Sequence, residues 1–248
     1  MFTAAATFAA TSPFAAERHA APMRLGAIAA TPYGFMQFCR RDPAECGVTP
    51  TMIAEATMPG AAVPIGADSA TSASFPDAAS DAKAAVSTIP RVAGSRADLL
   101  KLINRVNRQV NRAIIFESDQ AQYGVPEFWT VPSEAGTRYG DCEDYVLEKR
   151  HALIALGFAP SSLSIATVTT SWGQSHALLL VAIDDEEYVL DSLTPWIVRV
   201  RDAPYVWRER QVQGQALVWA KIKQPDEDLG AMQVASSQDV ADLQTTSR

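Results

Sequence analysis

Residues 139–157, YGDCEDYVLEKRHALIALG, decide how the chain is read. Cys142 stands between Asp141 and Glu143, with Asp144 just behind. From it, Val146, Lys149, Leu153 and Leu156 follow at spacings of three and four. Leu147, Ile154 and Ala155 widen the apolar stripe, which has the helical period. Gly157 suits a C-terminal cap and Pro160 bars continuation. The spacing therefore predicts a helix that starts at Cys142. The unpaired N–H groups of a helix start carry partial positive charge and lower a thiol pKa. Neighbouring carboxylates have the opposite effect. Locally, Cys142 reads as a nucleophile, a metal ligand or a small buried residue. The acids either complement the helix dipole or, as hard oxygen ligands, hold a divalent cation such as Ca²⁺.

Downstream, SLSIATVTT, SHALLLVAI, EYVLDS and ALVWAKI read as strands. A thiol nucleophile needs a base, and the chain has three histidines. His19 lies in an Ala-rich N-terminal stretch, and His151 sits nine residues into the helix, pointing elsewhere. His176 opens the strand SHALLLVAI. With Asp184 and Asp185 as a two-residue turn, paired positions sum to 369 and Asp191 falls opposite Leu178; a four-residue turn moves it opposite Leu180 with the same parity, and a three-residue turn breaks the parity unless a bulge restores it. His176 shares the parity of Leu178, so His176 and Asp191 become diagonal neighbours on one face. An imidazole and a carboxylate presented together form the base and its orienter.

Upstream, SRADLLKLINRVNRQVNRAIIF places Leu99, Ile103, Val106, Val110 and Ile114 at helical spacing. Ser95 and Asp98 resemble a capping box. Arg105, Arg108 and Arg112 read as a solvated helix face. Residues 59–93 are rich in Ala, Ser, Pro, Gly and Asp, and are expected to be an exposed insertion. Residues 1–25 read as a leader or disordered arm, with no basic residue before the apolar part, and 224–248 as a polar tail. That leaves 26–223 as one domain.

The totals agree: 248 residues, 48% of them hydrophobic, suit a single globular unit. A net charge of −7 and no basic stripe argue against nucleic-acid binding. No apolar run is long enough to cross a membrane. Of the three cysteines, Cys39 and Cys46 are a near pair and Cys142 a distant single. This pattern fits one small disulfide and one free thiol in an oxidising compartment, or three reduced thiols in a cytosol.

Six motifs, FCRRDPAEC, RVNRQVNRAI, QYGVPEFWTVPSE, GDCEDYVLEKRHALIALG, SHALLLV and YVLDSLTPW, stand in one order over residues 32–208. In this the chain resembles the bacterial transglutaminase-like cysteine proteinases, the LapG-type periplasmic proteases. The resemblance implies an α+β, papain-like fold in which a helix bearing the nucleophile packs on an antiparallel sheet. It implies a Cys142–His176–Asp191 triad and Ca²⁺ on Asp141 and Glu143, with Asp144 nearby. It implies a periplasmic location, which favours the Cys39–Cys46 disulfide. A cell-surface protein such as a biofilm adhesin becomes the expected substrate, and an inner-membrane receptor the expected regulatory partner. Where many members have Asp-Asn after YVL, this chain has Asp191-Ser192. Trp129 and Trp172 are candidate walls of a substrate groove, or ordinary packing residues. Two further readings stay open: acyl transfer to an amine, as in transglutaminases, and a Ca²⁺-dependent binding module with a vestigial triad.

Overall fold

The computed structural model describes residues 23–56 and 94–223. His19, the 59–93 insertion, the polar tail and all but the last three residues of the leader-like arm lie outside them. The fold is a seven-stranded antiparallel sheet with helices against one face. The strands are β1 (Leu25–Ala29), β4 (Leu163–Thr169), β5 (Ser175–Ile183), β6 (Glu186–Leu190), β7 (Val198–Arg199), β8 (Val206–Val212) and β9 (Gln215–Ile222), in the order β1-β9-β8-β4-β5-β6-β7. A separate parallel pair joins β2 (Ile115–Phe116) to β3 (Tyr139–Gly140).

The helices are α1 (Tyr33–Arg41), α2 (Pro43–Cys46), α3 (Pro50–Ala56), α4 (Arg96–Ala113), α5 (Asp119–Gln122) and α6 (Cys142–Ala155). α4 begins where the capping signal placed it, with the Ser95 hydroxyl accepting from the Asp98 N–H at 3.3 Å. Its Ile103, Val106 and Val110 are buried, whereas Arg105 and Arg112 are exposed. α6 lies between α4 and β5. That position explains why Glu143, Asp144, Lys149 and Arg150 are buried along with Val146, Leu147 and Leu153. The helix ends in a Schellman motif: Phe158 N–H donates to Leu153 O at 3.0 Å and Gly157 N–H to Ile154 O at 2.8 Å. Gly157 takes φ 90° there, a left-handed value that costs any other residue strain.

β5 is apolar on both faces because both are covered. Ala177, Leu179, Val181 and Ile183 join the main core with α4 and α6. Leu178 and Leu180 form a second cluster on the opposite side with Ala166, Val168 and Val189, and Tyr205 and Trp207 pack against it. The β5–β6 pairing runs from Ile183↔Glu186 to Leu179↔Leu190, so every pair sums to 369 as the two-residue turn requires. Asp184 supplies that turn with φ 55°.

β1, β7 and β8 carried no clear strand signal. β8, VWRERQV, is charged, yet it lies between β4 and β9. Its Arg210 is accommodated by partners: Glu187 Oε2 at 2.8 Å and Ser164 Oγ at 2.7 Å. Cys39 and Cys46 form a disulfide linking α1 to α2, and both are buried. Among the described residues no helix is long and apolar enough to cross a membrane.

Candidate active site and acidic cluster

Cys142 is the first residue of α6 and the free cysteine of the chain. It packs against the main core, to which Ala177, the residue after His176, belongs. The β5–β6 hairpin puts His176 Nε2 2.8 Å from Asp191 Oδ1, with both side chains buried. Asp191 Oδ1 also accepts from the Leu193 N–H at 2.9 Å, and Oδ2 accepts from the Tyr205 hydroxyl. Burial alone would raise the Asp191 pKa. The hydrogen bonds from His176, Tyr205 and Leu193 more than offset it and hold the carboxyl below its usual range. An ionised Asp191 only accepts, so Nε2 of His176 carries the proton and Nδ1 is left for other work.

The thiol of Cys142 donates to Glu143 Oε2 at 2.9 Å. Burial pushes its pKa up, and the charge of Glu143 pushes it further. The conflict visible in GDCED is therefore present in the folded protein.

A second group of carboxylates adjoins the first. Asp119, Asp141 and Asp144 bring one oxygen each within 4.8 Å of one another, and Asp141 also belongs to a group with Cys142 and Glu143. Asp119 was missed in the sequence. The parallel β2–β3 pair brings it in: Phe116 is paired with Gly140, so the chain leaves both strands at the same end, toward Asp119 and Asp141. Burial raises the carboxyl of Asp119 to about 6 and that of Asp144 to about 7. Asp141 and Glu143 are raised as well, first by burial. The cluster is partly satisfied. Asp144 Oδ1 accepts from the Thr130 N–H at 2.7 Å, and Asp144 Oδ2 from the Asp141 N–H at 3.2 Å. Asp119 Oδ2 accepts from the Phe128 N–H. Yet Asp119 Oδ1 and Asp141 Oδ1 are buried and have no hydrogen-bond partner among the described residues. Orphaned carboxylate oxygens converging from different elements fit a hard cation. Gly140 permits the packing, since a Cβ on it would come 2.7 Å from Asp144 Oδ2.

The two tryptophans part company. Trp129 is 4% exposed and packs edge-on to Phe35 at 5.5 Å, so it is a core residue and not a groove wall. The apolar α1 needs a partner of that size, and Gly34 leaves room for the indole. Trp172 is 60% exposed in the β4–β5 loop, where its Nε1 donates to Gln174 Oε1 at 2.8 Å. Trp196, in the β6–β7 loop that follows Asp191, is equally exposed and was not singled out in the sequence.

A helix that starts at a cysteine and packs on an antiparallel sheet bearing a histidine–carboxylate pair is the layout of a papain-like thiol hydrolase. The family described as bacterial transglutaminase-like cysteine proteinase (BTLCP) matches residues 73–227, more than half of the chain. The chain belongs to that family and is a cysteine peptidase. Among solved structures, calcium-bound LapG of Legionella pneumophila matches with 22% identity and a TM-score of 0.41, over 49% of this chain and 70% of that one. A second LapG structure from the same organism matches with 22% identity and a TM-score of 0.41, over 56% and 78%. An EGTA-treated LapG matches with 22% identity and a TM-score of 0.40, over 49% and 66%. No curated protein matches the chain.

Proposed function

We propose that the protein is a calcium-dependent thiol endopeptidase acting through Cys142, His176 and Asp191. The observation that carries this reading is the buried His176–Asp191 contact of 2.8 Å on the strand against which α6, with Cys142 at its start, packs. His176 Nδ1 takes the thiol proton as Cys142 attacks the scissile carbonyl. The N–H of Cys142, at the start of α6, helps hold the oxyanion. The imidazolium, steadied by Asp191, then protonates the leaving amine, and water releases the acyl group.

Asp119, Asp141 and Asp144 would hold the cation, with Glu143 close by. Bound there, Ca²⁺ supplies positive charge beside the start of α6, where the carboxylates otherwise stand uncompensated. Trp172 contributes to the substrate groove. The substrate is a cell-surface or periplasmic protein, such as a biofilm adhesin, and an inner-membrane receptor controls the enzyme. The Cys39–Cys46 disulfide supports an extracytoplasmic, periplasmic site of action.

The test compares surface proteins of cells carrying the wild type with those carrying Cys142→Ala. Loss of one cleavage product in the variant supports the reading, and identical surface profiles reject it. A product joined to an added amine instead of water would move the assignment to acyl transfer. With the purified enzyme, EGTA should stop cleavage and Ca²⁺ restore it.

A further inference from the structure

We infer that Tyr205 is a positioning residue of the triad, fixing the plane of the Asp191 carboxylate. The inference rests on the proposed Cys142–His176–Asp191 reading. Asp191 leaves β6 where regular pairing ends, so the sheet ladder no longer constrains it. Its main chain is held by α4, since Asn111 Nδ2 donates to Asp191 O at 2.8 Å. Its side chain is held separately. Oδ1 takes two donors, the His176 Nε2–H at 2.8 Å and the Leu193 N–H at 2.9 Å. These two bonds meet at one oxygen, so the carboxylate can still turn about the axis through it. The Tyr205 hydroxyl, bonded to Oδ2, removes that freedom.

Tyr205 is well placed to act as a fixed point. It precedes β8, in the connection after β7, so it comes from a different part of the chain from the hairpin it braces. Its ring packs against the cluster of Leu178, Leu180 and Val189, on the sheet face that carries His176 by parity. The ring centre lies 6.3 Å from that of the imidazole. Burial and the Asp191 hydrogen bond both raise the phenol pKa, so the hydroxyl stays a donor over the working range. The groups that bear on Asp191 are thus His176 from β5, Tyr205 from the β7–β8 connection, and Lys149, whose charge approaches it from α6.

The sequence carries no hint of this, because DAPYVW has no motif character and lies fourteen residues past Asp191.

The experiment uses Tyr205→Phe, which keeps the ring and removes the donor. Cys142 is the free thiol, so the iodoacetamide alkylation rate at pH 7 with Ca²⁺ present reports its activation. The rate should fall several-fold in Tyr205→Phe. In an Asp191→Asn background the same change should have no further effect, because the group it positions is gone. The proton signal of His176 Nε2–H, which reports its bond to Asp191 Oδ1, should move in Tyr205→Phe at fixed pH, because the carboxylate is no longer held in one plane. A wild-type rate and a wild-type His176 proton signal in Tyr205→Phe, with Asp191→Asn slow, would overturn the inference alone. So would an undiminished loss in the Asp191→Asn background. Wild-type labelling in both His176→Ala and Asp191→Asn would instead overturn the triad reading. Should Tyr205→Phe fail to fold, the wild type is compared with Asp191→Ala. The downfield His176 and Tyr205 proton signals must then vanish together in Asp191→Ala, which removes the acceptor of both, and a Tyr205 signal that survives refutes the bond.

Discussion

At the scale of single residues, Asp119 shows what a sequence conceals. The places of Cys142 at a helix start and of His176 and Asp191 on one hairpin were legible because both patterns are local or nearly local. The sum of 369 follows from one turn length. Asp119 is brought to Asp141 by strands of two residues each, too short to show any period. Trp129 was ambiguous for another reason: an indole serves equally well in a core or a groove, and only its contact with Phe35 decides. If Asp119 completes a cation site, Asp119→Asn should weaken Ca²⁺ binding by roughly tenfold or more, since a charged hard ligand is lost. Calorimetric titration measures this directly. Unchanged affinity would remove Asp119 from the ligand set.

At the scale of elements, α6 organises the site because it is anchored at both ends. Its first turn is packed by Gly140. In Gly140→Ala the new Cβ would lie 2.7 Å from Asp144 Cβ and Oδ2, and neither atom has free space to retreat. The Asp144 carboxylate would be driven off the Thr130 and Asp141 N–H groups. The expected cost is about 1–3 kcal/mol in urea unfolding, with weaker Ca²⁺ binding. A stable Gly140→Ala protein with unaltered affinity would contradict this packing. Farther along, His151 Nδ1 meets Glu45 Oε2 at 3.0 Å, tying α6 to α2 beside the disulfide. Burial alone would lower the His151 pKa. The Glu45 hydrogen bond and the charges of Glu45, Glu134 and Glu148 outweigh it and raise the value. A raised folded-state pKa gives stability that is complete below about 6.5 and is lost as pH climbs through the folded value. His151→Gln should therefore cost about 0.5–1 kcal/mol more at pH 6 than at pH 8, as read by denaturant titration. Equal costs at both values would show that the imidazole is not charged there.

At the scale of the whole molecule, Lys149 is the least expected feature. Its position in the apolar stripe of α6 was visible in the sequence, and the structure buries it completely. Nζ has no hydrogen-bond partner among the described residues and lies 5.8 Å from the Tyr145 ring. Burial drives its pKa down to about 7, with the charge of Asp191 pulling the other way. An unfolded lysine titrates near 10.4. Between about pH 7 and 10 the unfolded chain therefore holds a proton that the folded chain has released. By linkage, stability then rises with pH across that window. Below it the protein carries the full cost of a buried ammonium. A methionine of similar length would avoid that cost and leave Asp191 with its bonds from His176, Leu193 and Tyr205. Lys149→Met should raise stability at pH 7 by about 1–4 kcal/mol. It should also flatten the rise that the wild type shows up to pH 10. Urea titrations of both proteins at several pH values read the two effects together. If the variant is less stable at pH 7, the ammonium is held by interactions stronger than its desolvation, and the attraction of Asp191 is the first to suspect.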